Sequence, residues 1–189
     1  MQNQTISNIE VTEFSSWKGV LTLTAWQGYQ SGQRDYASID SNHLSSGSVV
    51  FIVENDNKQQ ATPTPEQVKA YHYLIDNQER VRDAMLEALL VEYERMKGTY
   101  GYEKEEEEKF MPRIYSSLDF KKLIELYGIN IHYVQKDGIA YVGYNFRCTW
   151  DNEHDLGIMT HRERVVEIGG ADTACLWWIA DRDSKGGNA

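Results

Sequence analysis

A stretch of strict alternation constrains the fold more than any other part of this chain. Over residues 142–150 every second residue is apolar, and polar or small residues lie between them. Because a strand sends successive side chains to opposite faces, this pattern predicts a strand with one core face and one solvent face. The residues predicted to face solvent are Gly143, Asn145, Arg147 and Thr149.

Two shorter strands are predicted directly after this one. Residues 151–155 are all polar and indicate a loop, and residues 156–160 and 164–168 are rich in strand-forming side chains. The pair Gly169-Gly170 then ends the strand pattern, because glycine gives the backbone a freedom that a strand interior does not use. The pattern is typical of an antiparallel meander.

The middle of the chain carries the helical signals. Residues 64–67, Thr-Pro-Glu-Gln, combine an N-cap, a proline at the first helical position and a capping-box glutamine. Apolar residues then recur every three or four positions as far as residue 97, and Gly98 predicts the helix end. Gln78 and Glu92 interrupt the stripe, and a kink at residues 76–78 leaves open whether this is one helix or two. A second, short helix is predicted over residues 118–127.

These elements predict an α+β fold. The expected architecture is an antiparallel β-sheet, made of an N-terminal strand pair and the C-terminal meander, with one long helix and one short helix packed on it. The chain has 189 residues, of which 41% are hydrophobic, so residues 1–180 are predicted to form a single domain with a real core. Residues 181–189 are charged and glycine-rich, and we predict a disordered tail there.

The net charge of −10 bears on the class of partner. An acidic protein repels phosphate backbones, so we expect no nucleic-acid binding. The acidic balance suits a basic protein partner, or solubility alone. The densest negative run is the predicted partner-binding patch, with a solvated linker or exposed helical turn as the alternative. It consists of Glu105, Glu106, Glu107 and Glu108.

Sequence features also predict the compartment. No apolar run approaches the roughly 18 residues needed to span a bilayer, so no membrane association is expected. The N-terminus lacks the basic and apolar regions of a secretory signal, and the two cysteines, Cys148 and Cys175, form no C-x-x-C motif. We therefore expect a cytoplasmic protein with reduced thiols.

Most of the residues that could do chemistry lie in or beside the central stretch. Glu153, His154 and His161 are the candidate catalytic residues if the chain is a metal-assisted hydrolase, an alternative that also uses Asp151 and Asp172. No spacing such as H-E-x-x-H supports this alternative, and no catalytic residue is assigned otherwise. The cluster comprises Trp150, Asp151, Glu153, His154, His161, Glu167 and Asp172.

The loop over residues 151–155 is also a weak metal candidate. Its carboxylates have the one-three-five spacing of calcium loops, but Gly157 falls at the seventh place instead of the sixth and Arg162 occupies the twelfth. The alternative is that Asp151 and Asp155 hydrogen-bond their own turn backbone. No cofactor is predicted, and the weak metal candidates are Asp151, Glu153, Asp155 and His154.

Several of these residues also carry a family likeness. W-D-x-E-H-x-L-G at residues 150–157, a histidine at 161 and V-V-E-I-G-G-A-D at 165–172 resemble the signature of a bacterial family of unknown function. The family usually has glycine where this chain has Asp155, and residues 63–67 resemble its P-T-x-E-Q helix start. The likeness covers roughly residues 18–176 and implies no reaction.

The sequence supports three hypotheses. The first is a non-enzymatic protein-binding module, by analogy with families of similar size an immunity protein that neutralises a basic toxin. The second is the metal-assisted hydrolase built on the 151–172 cluster. The third is a structural domain without a small-molecule ligand, in which the signature serves the fold.

Overall fold

The computed structural model describes residues 5–13, 15–31, 43–55 and 60–187. The strands among them are β1 Glu10–Val11, β2 Trp17–Thr22, β3 Gln30–Ser31, β4 His43–Leu44, β5 Ser48–Val53, β6 Ile124–Lys136, β7 Ile139–Cys148, β8 Leu156–His161 and β9 Arg164–Gly169. The α-helices are α1 Pro65–Asp76, α2 Gln78–Tyr100, α3 Lys104–Phe110 and α4 Trp177–Ser184. Short 3-10 turns cover Thr24–Trp26, Ser117–Lys122 and Ala171–Ala174.

Seven strands form one sheet in the order β1-β2-β5-β6-β7-β8-β9, and β3 pairs with β4 separately. The pair β2–β5 and the meander β6–β9 are antiparallel, which confirms the predicted α+β fold. The junction between β5 and β6 is parallel, a feature that the sequence did not predict. It arises because the helices between these strands carry the chain back to the same end of the sheet, as a parallel connection requires.

One face of the sheet, which we call the helix face, packs against α1 and α2. Val142, Tyr144 and Phe146 of β7 point into this core, as their alternation predicts. Met85 and Leu89 of α2 meet them and are fully buried. Burying side chains of this size contributes about 1.5–3 kcal/mol each to folding.

The opposite face, which we call the glycine face, has almost no side chains along one row. Gly128, Asn145, Gly157 and Gly169 pair in register across β6, β7, β8 and β9, so all four share this face. Gly143 lies on the same face two residues from Asn145. This row leaves a trough along the sheet.

The C-terminal segment fills the trough. A Cβ atom on Gly143 would lie 1.8 Å from the carbonyl oxygen of Ala174, so only glycine allows this approach. Helix α4 covers the neighbouring part of the face, where Ile179 packs against Tyr141. The prediction that Gly143 and Asn145 face solvent is therefore wrong, because a second layer covers them.

The predicted capping box at the start of the long helix is confirmed. The Gln67 N–H donates to Thr64 Oγ1 at 3.2 Å, and the Thr64 N–H donates to Gln67 Oε1 at 2.9 Å. The long helix is two helices, α1 and α2, with Asn77 outside helical geometry between them. Gly98 does not end α2, which continues to Tyr100 and is closed by the left-handed Gly101 (φ 63°).

The prediction of a short helix over residues 118–127 is wrong. A 3-10 turn occupies Ser117–Lys122, and β6 begins at Ile124, where it pairs with Cys148 of β7. The helical spacing of apolar residues here coincides with a strand that has a long antiparallel partner. Tertiary pairing decides the conformation of such short ambiguous segments.

The predicted disorder from residue 181 is wrong for the residues that the structure describes, because α4 continues to Ser184. Asp183 fixes this helix to the sheet. Its carboxylate accepts hydrogen bonds from the Tyr141 hydroxyl at 2.6 Å and from Arg164 Nη1 at 3.0 Å. Residues 188–189 of the predicted tail lie outside the described residues.

Candidate functional site: an acidic cleft at the signature loop

The loop after β7 is organised by the Asp151 carboxylate. Its Oδ1 accepts hydrogen bonds from the backbone N–H groups of Glu153 at 3.3 Å and His154 at 2.9 Å. The ring Nδ1 of His154 lies 3.1 Å from the same oxygen. The expectation that Asp151 bonds its own turn is confirmed, as short Asp side chains often do.

Two tyrosines connect this loop to the end of α2. The Tyr100 hydroxyl donates to Asp151 Oδ2 at 2.9 Å, and the Tyr102 hydroxyl donates to the Trp150 carbonyl at 2.7 Å. The two tyrosine rings are stacked, with centroids 6.0 Å apart and planes 9° apart. The end of α2 and the signature loop are therefore held as one unit.

This environment keeps Asp151 ionised. Burial opposes the charge, but hydrogen bonds from the His154 backbone, the Tyr100 hydroxyl and the His154 ring outweigh burial and lower the pKa of Asp151. The pKa of Tyr100 is raised by burial and by its hydrogen bond to Asp151, so the hydroxyl stays a donor. The loop thus presents a fixed negative charge near neutral pH.

The glycine pair after β9 closes the other side of the site. The Ala171 N–H donates to the His154 carbonyl at 2.8 Å, which brings the start of the 3-10 turn against the loop. Asp172 is exposed, and no other described residue bonds to its carboxylate. Among the described residues, its side chain caps neither the 3-10 turn, which starts after Gly170, nor α4, which starts after Leu176, because both starts lack a side-chain cap.

The end of α2, the signature loop and the turn after β9 line an open cleft of about 560 Å³. Four of its five lining residues belong to the signature runs, so the predicted loop does line a pocket. The fifth, Tyr100, was not predicted, because Gly98 predicts the helix end two residues before it, whereas α2 continues to Tyr100. The lining residues are Tyr100, Asp151, His154, Gly170 and Asp172.

The other signature residues lie elsewhere. Trp150 is buried in the core against Tyr93, with ring centroids 5.3 Å apart, as expected. His161 is buried at the far end of β8, where its Nε2 lies 2.9 Å from the Lys136 carbonyl. Glu167 forms an ion pair with Arg182 of α4. These residues hold the fold together rather than line the cleft.

The structure does not assemble the alternative catalytic set. Glu153 and His154 lie in the loop before β8, and His161 ends that strand. Among the described residues, no group of three or more His, Cys, Asp or Glu side chains is placed to hold a metal ion. The weak metal candidates Asp151, Glu153, His154 and Asp155 therefore do not form such a group either.

The acidic run forms helix α3, beside the cleft. Glu105, Glu106 and Glu108 are exposed, whereas Glu107 pairs with Lys97 at 2.9 Å. After burial, the charges of Asp151 and Glu106 are among the causes that raise the pKa of Tyr102. The Tyr102 ring stacks on Tyr100 of the cleft and lies 5.5 Å, centroid to centroid, from Phe110 of α3, so α3 is adjacent to the cleft.

A model of a protein family, described as Domain of unknown function (DUF6985), matches residues 19–176. The chain belongs to this family. The match confirms the predicted membership of a family of unknown function, and it includes every residue that lines the cleft of this DUF6985 domain. No curated protein and no solved structure matches the chain.

Helix α4 lies outside the matched region. No helix of the described ranges is both long and apolar enough to cross a bilayer.

Proposed function

We propose that this DUF6985 domain is a protein-binding module whose partner is a basic protein. The proposed binding surface, which we call the acidic surface, consists of the cleft and the exposed side of α3. Its exposed negative groups are Asp172, Glu105, Glu106 and Glu108. The observation that carries the proposal is the tyrosine link. Tyr100 bonds Asp151 in the cleft and stacks on Tyr102, whose ring lies against Phe110 of α3 with centroids 5.5 Å apart.

The chemistry of this surface favours a cationic partner. Asp172 has no bonding partner among the described residues, and three of the four α3 glutamates are exposed, so these carboxylates are available to arginine or lysine. The stacked tyrosine rings add faces on which a cation can lie. A net charge of −10 also speeds the approach of a basic protein, by an amount that falls as salt rises.

One class of such partners is the basic toxins, and in that case the module is an immunity protein. Neutralisation would result from covering the basic surface that the toxin uses. Both cysteines are free thiols in the structure, which suits action in a reducing compartment such as the cytoplasm.

The test starts from tagged protein purified gently from its own host and examined by native mass spectrometry. We expect a basic protein at fixed stoichiometry. The affinity for that protein should weaken as salt rises, and the variant Glu105→Gln/Glu106→Gln/Glu108→Gln should weaken it by about tenfold or more through lost steering and contacts.

A matched control removes three charges far from the cleft. The variant Glu10→Gln/Glu13→Gln/Glu79→Gln makes the same change in net charge at exposed positions in the N-terminal segment and at the start of α2. Equal losses in both variants would mean that net charge alone acts and would contradict a defined binding surface. An affinity that does not respond to salt would contradict the proposal as a whole.

A structural role for part of the signature is favoured by the bonding of Asp151. Its carboxylate already accepts bonds from two backbone groups, one ring and one hydroxyl, which leaves little capacity for a ligand. Asp151→Ala should therefore lower stability, whereas Asp172→Asn should lower partner affinity with stability unchanged. The reverse pattern would assign the binding role to Asp151.

A further inference from the structure

The wall of the cleft between Asp172 and His154 is a glycine that the backbone conformation does not require. Gly170 has φ −62° and ψ 169°, which is extended backbone that any residue adopts. A Cβ atom added to it would lie 3.3 Å from Oδ1 of Asp172 and 3.7 Å from Cβ of His154. Both of these residues line the cleft, so a side chain at position 170 would fill the space between them. The glycine keeps this space open.

The two carboxylates of the cleft differ in what they can still accept. Asp151 Oδ1 accepts from the backbone N–H groups of Glu153 and His154, and Asp151 Oδ2 accepts from the Tyr100 hydroxyl. Among the described residues, nothing bonds to the exposed Asp172 carboxylate. An ionised carboxylate accepts at both of its oxygens, so Asp172 can take two N–H groups at once. Asp151 therefore supplies charge to the cleft, and Asp172 supplies hydrogen-bond acceptors.

The cleft also has an aromatic wall. Tyr100 lines it and is 36% exposed. Its hydroxyl is bonded to Asp151 and its ring is stacked on Tyr102, so the ring is held from two sides. The face of a tyrosine ring attracts a cation, and a planar guanidinium group stacks on it in a way that an ammonium group does not.

We propose that the cleft binds one arginine side chain of the partner, with the guanidinium group lying on the Tyr100 ring and forked onto the Asp172 carboxylate. This inference rests on the proposed function, because it names the group that the basic partner inserts into the acidic surface. One exposed ring and one carboxylate with free acceptors provide for one such side chain.

The shape of the cleft favours arginine over lysine. The N–H groups of a guanidinium form a rigid fork that matches the two oxygens of a carboxylate, and the group is only weakly hydrated. A lysine ammonium group is a compact, strongly hydrated charge that gains nothing from a flat ring beside a carboxylate. The exposed glutamates of α3 attract either residue, so the preference for arginine belongs to the cleft.

The test uses the whole chain and two small probes of equal charge, N-acetyl-arginine amide and N-acetyl-lysine amide. Nuclear magnetic resonance of the backbone amides follows each titration at low salt and gives a dissociation constant for each probe. We expect the arginine probe to bind about fivefold more tightly or better, with the largest shifts at Gly170 and Asp172. Equal affinities, or an arginine probe that leaves these two amides unshifted, would overturn the proposal.

Two variants separate space from charge. Gly170→Ala leaves the charge unchanged and adds a methyl group to the open space, so the arginine probe should bind about fivefold more weakly or worse. Asp172→Asn removes the forked acceptor, so the arginine and lysine probes should bind equally. Arginine preference that survives in Asp172→Asn would overturn the proposal even if Gly170→Ala failed to fold. Asp137→Asn removes an exposed carboxylate at the turn between β6 and β7, and as the matched control it should keep the preference.

A second pair of variants isolates the ring. Tyr100→Phe and Tyr100→Leu both lose the bond to Asp151, and only the phenylalanine keeps an aromatic face. The arginine probe should therefore bind more tightly to Tyr100→Phe than to Tyr100→Leu. Equal affinities in these two variants would overturn the stacked arrangement.

Failure of this inference differs from failure of the proposed function. A chain that captures a basic protein but binds both probes equally would support the proposed function and overturn the arginine site. A chain that prefers the arginine probe but captures no basic protein would support the arginine site and contradict the proposed function.

Discussion

The two faces of the central sheet are built on different principles. The helix face carries large apolar side chains such as Tyr144 and Phe146, and it is stabilised mainly by the area that α1 and α2 remove from water. The glycine face has almost no side chains along its central row, and the C-terminal segment approaches it backbone to backbone. Polar bonds from Asn145, His132 and Asp183 hold the segment there.

Two runs of this chain lie where the close backbone approach is made. Apolar packing tolerates many side chains of similar volume, so the helix face requires a periodic pattern of apolar residues and not particular residues. Close backbone approach tolerates only glycine, and buried polar bonds tolerate few substitutes. The V-V-E-I-G-G-A-D run lies on β9 and the turn that enters the trough, and the W-D-x-E-H-x-L-G run lies on the loop that holds this turn.

The largest effect is expected from Gly143→Ala. Its new Cβ would lie 1.8 Å from the Ala174 carbonyl, so the C-terminal segment must move, at a cost of about 3 kcal/mol or more. Urea unfolding gives the free energy. Gly98→Ala is the control, because nothing lies within 4 Å of its Cβ and alanine favours helix, so a gain of about 0.5–1 kcal/mol is expected.

Met85→Leu supplies the counterpart on the helix face. This side chain is fully buried, but the swap conserves volume and should cost less than about 1.5 kcal/mol. A larger loss in Met85→Leu than in Gly143→Ala would contradict the contrast between the faces.

Asn145→Ala, also on the glycine face, is expected to cost less than Gly143→Ala. The Asn145 amide donates to the Ala171 carbonyl at 2.7 Å, and its oxygen accepts from Asn130 at 2.7 Å. Removing it leaves buried partners unsatisfied, at a cost of about 2 kcal/mol. Calorimetry of the variant measures the loss, and Asn145→Asp, which keeps the acceptor for Asn130 and loses the donor to Ala171, should also be destabilised. A loss within experimental error in both variants would show that these bonds are dispensable.

Low pH should lower the free energy of unfolding by about 1 kcal/mol through the loss of the Asp183 contacts of α4. This value includes a reduction for solvent screening. Burial alone would raise the pKa of Asp183, but hydrogen bonds from Arg164 and Tyr141 and the charges of Arg164 and Lys136 lower it to about 2. Since the folded pKa is depressed, this stabilisation is present above about pH 4, the pKa of an unfolded Asp, and is lost as pH falls towards 2.

Urea unfolding at pH 5 and pH 2.5 measures this loss, which Asp183→Asn should reduce. Asp181→Asn, at a more exposed pair with Lys185, should leave it unchanged. An equal loss of unfolding free energy in Asp183→Asn and the unmodified chain would show that Asp183 does not cause the pH dependence.

The smallest effect, and a gain, is expected from Asp155→Gly. Asp155 has φ 56°, in the left-handed region that favours glycine. The substitution should stabilise the loop by about 0.5 kcal/mol, measured as a rise in melting temperature. Asn152→Gly, in the same loop without a positive φ, should lower it. If Asp155→Gly lowers the melting temperature as Asn152→Gly does, the Asp155 side chain stabilises the loop by more than its backbone strain destabilises it.

Much of the fold could be predicted from local patterns. Alternation located β7 and its core face, the capping box located the start of α1, and the two runs at 150–157 and 165–172 contain four of the five cleft residues. The errors lie where two conformations compete locally. The short helix over residues 118–127 became a 3-10 turn and a strand because β7 was available to pair with it.

By itself, then, the sequence determined the α+β class, the helix face, the helix start at Thr64 and the acidic character of the chain. These come from the period of apolar residues, from cap chemistry and from the count of charges, all of which act over a few residues or over the whole chain. Only the tertiary structure decided the rest. The close approach of Gly143 to Ala174, the contact of Glu54 with His132 and the bond from Tyr100 to Asp151 are examples. Each joins residues far apart in sequence, and no local pattern encodes such contacts.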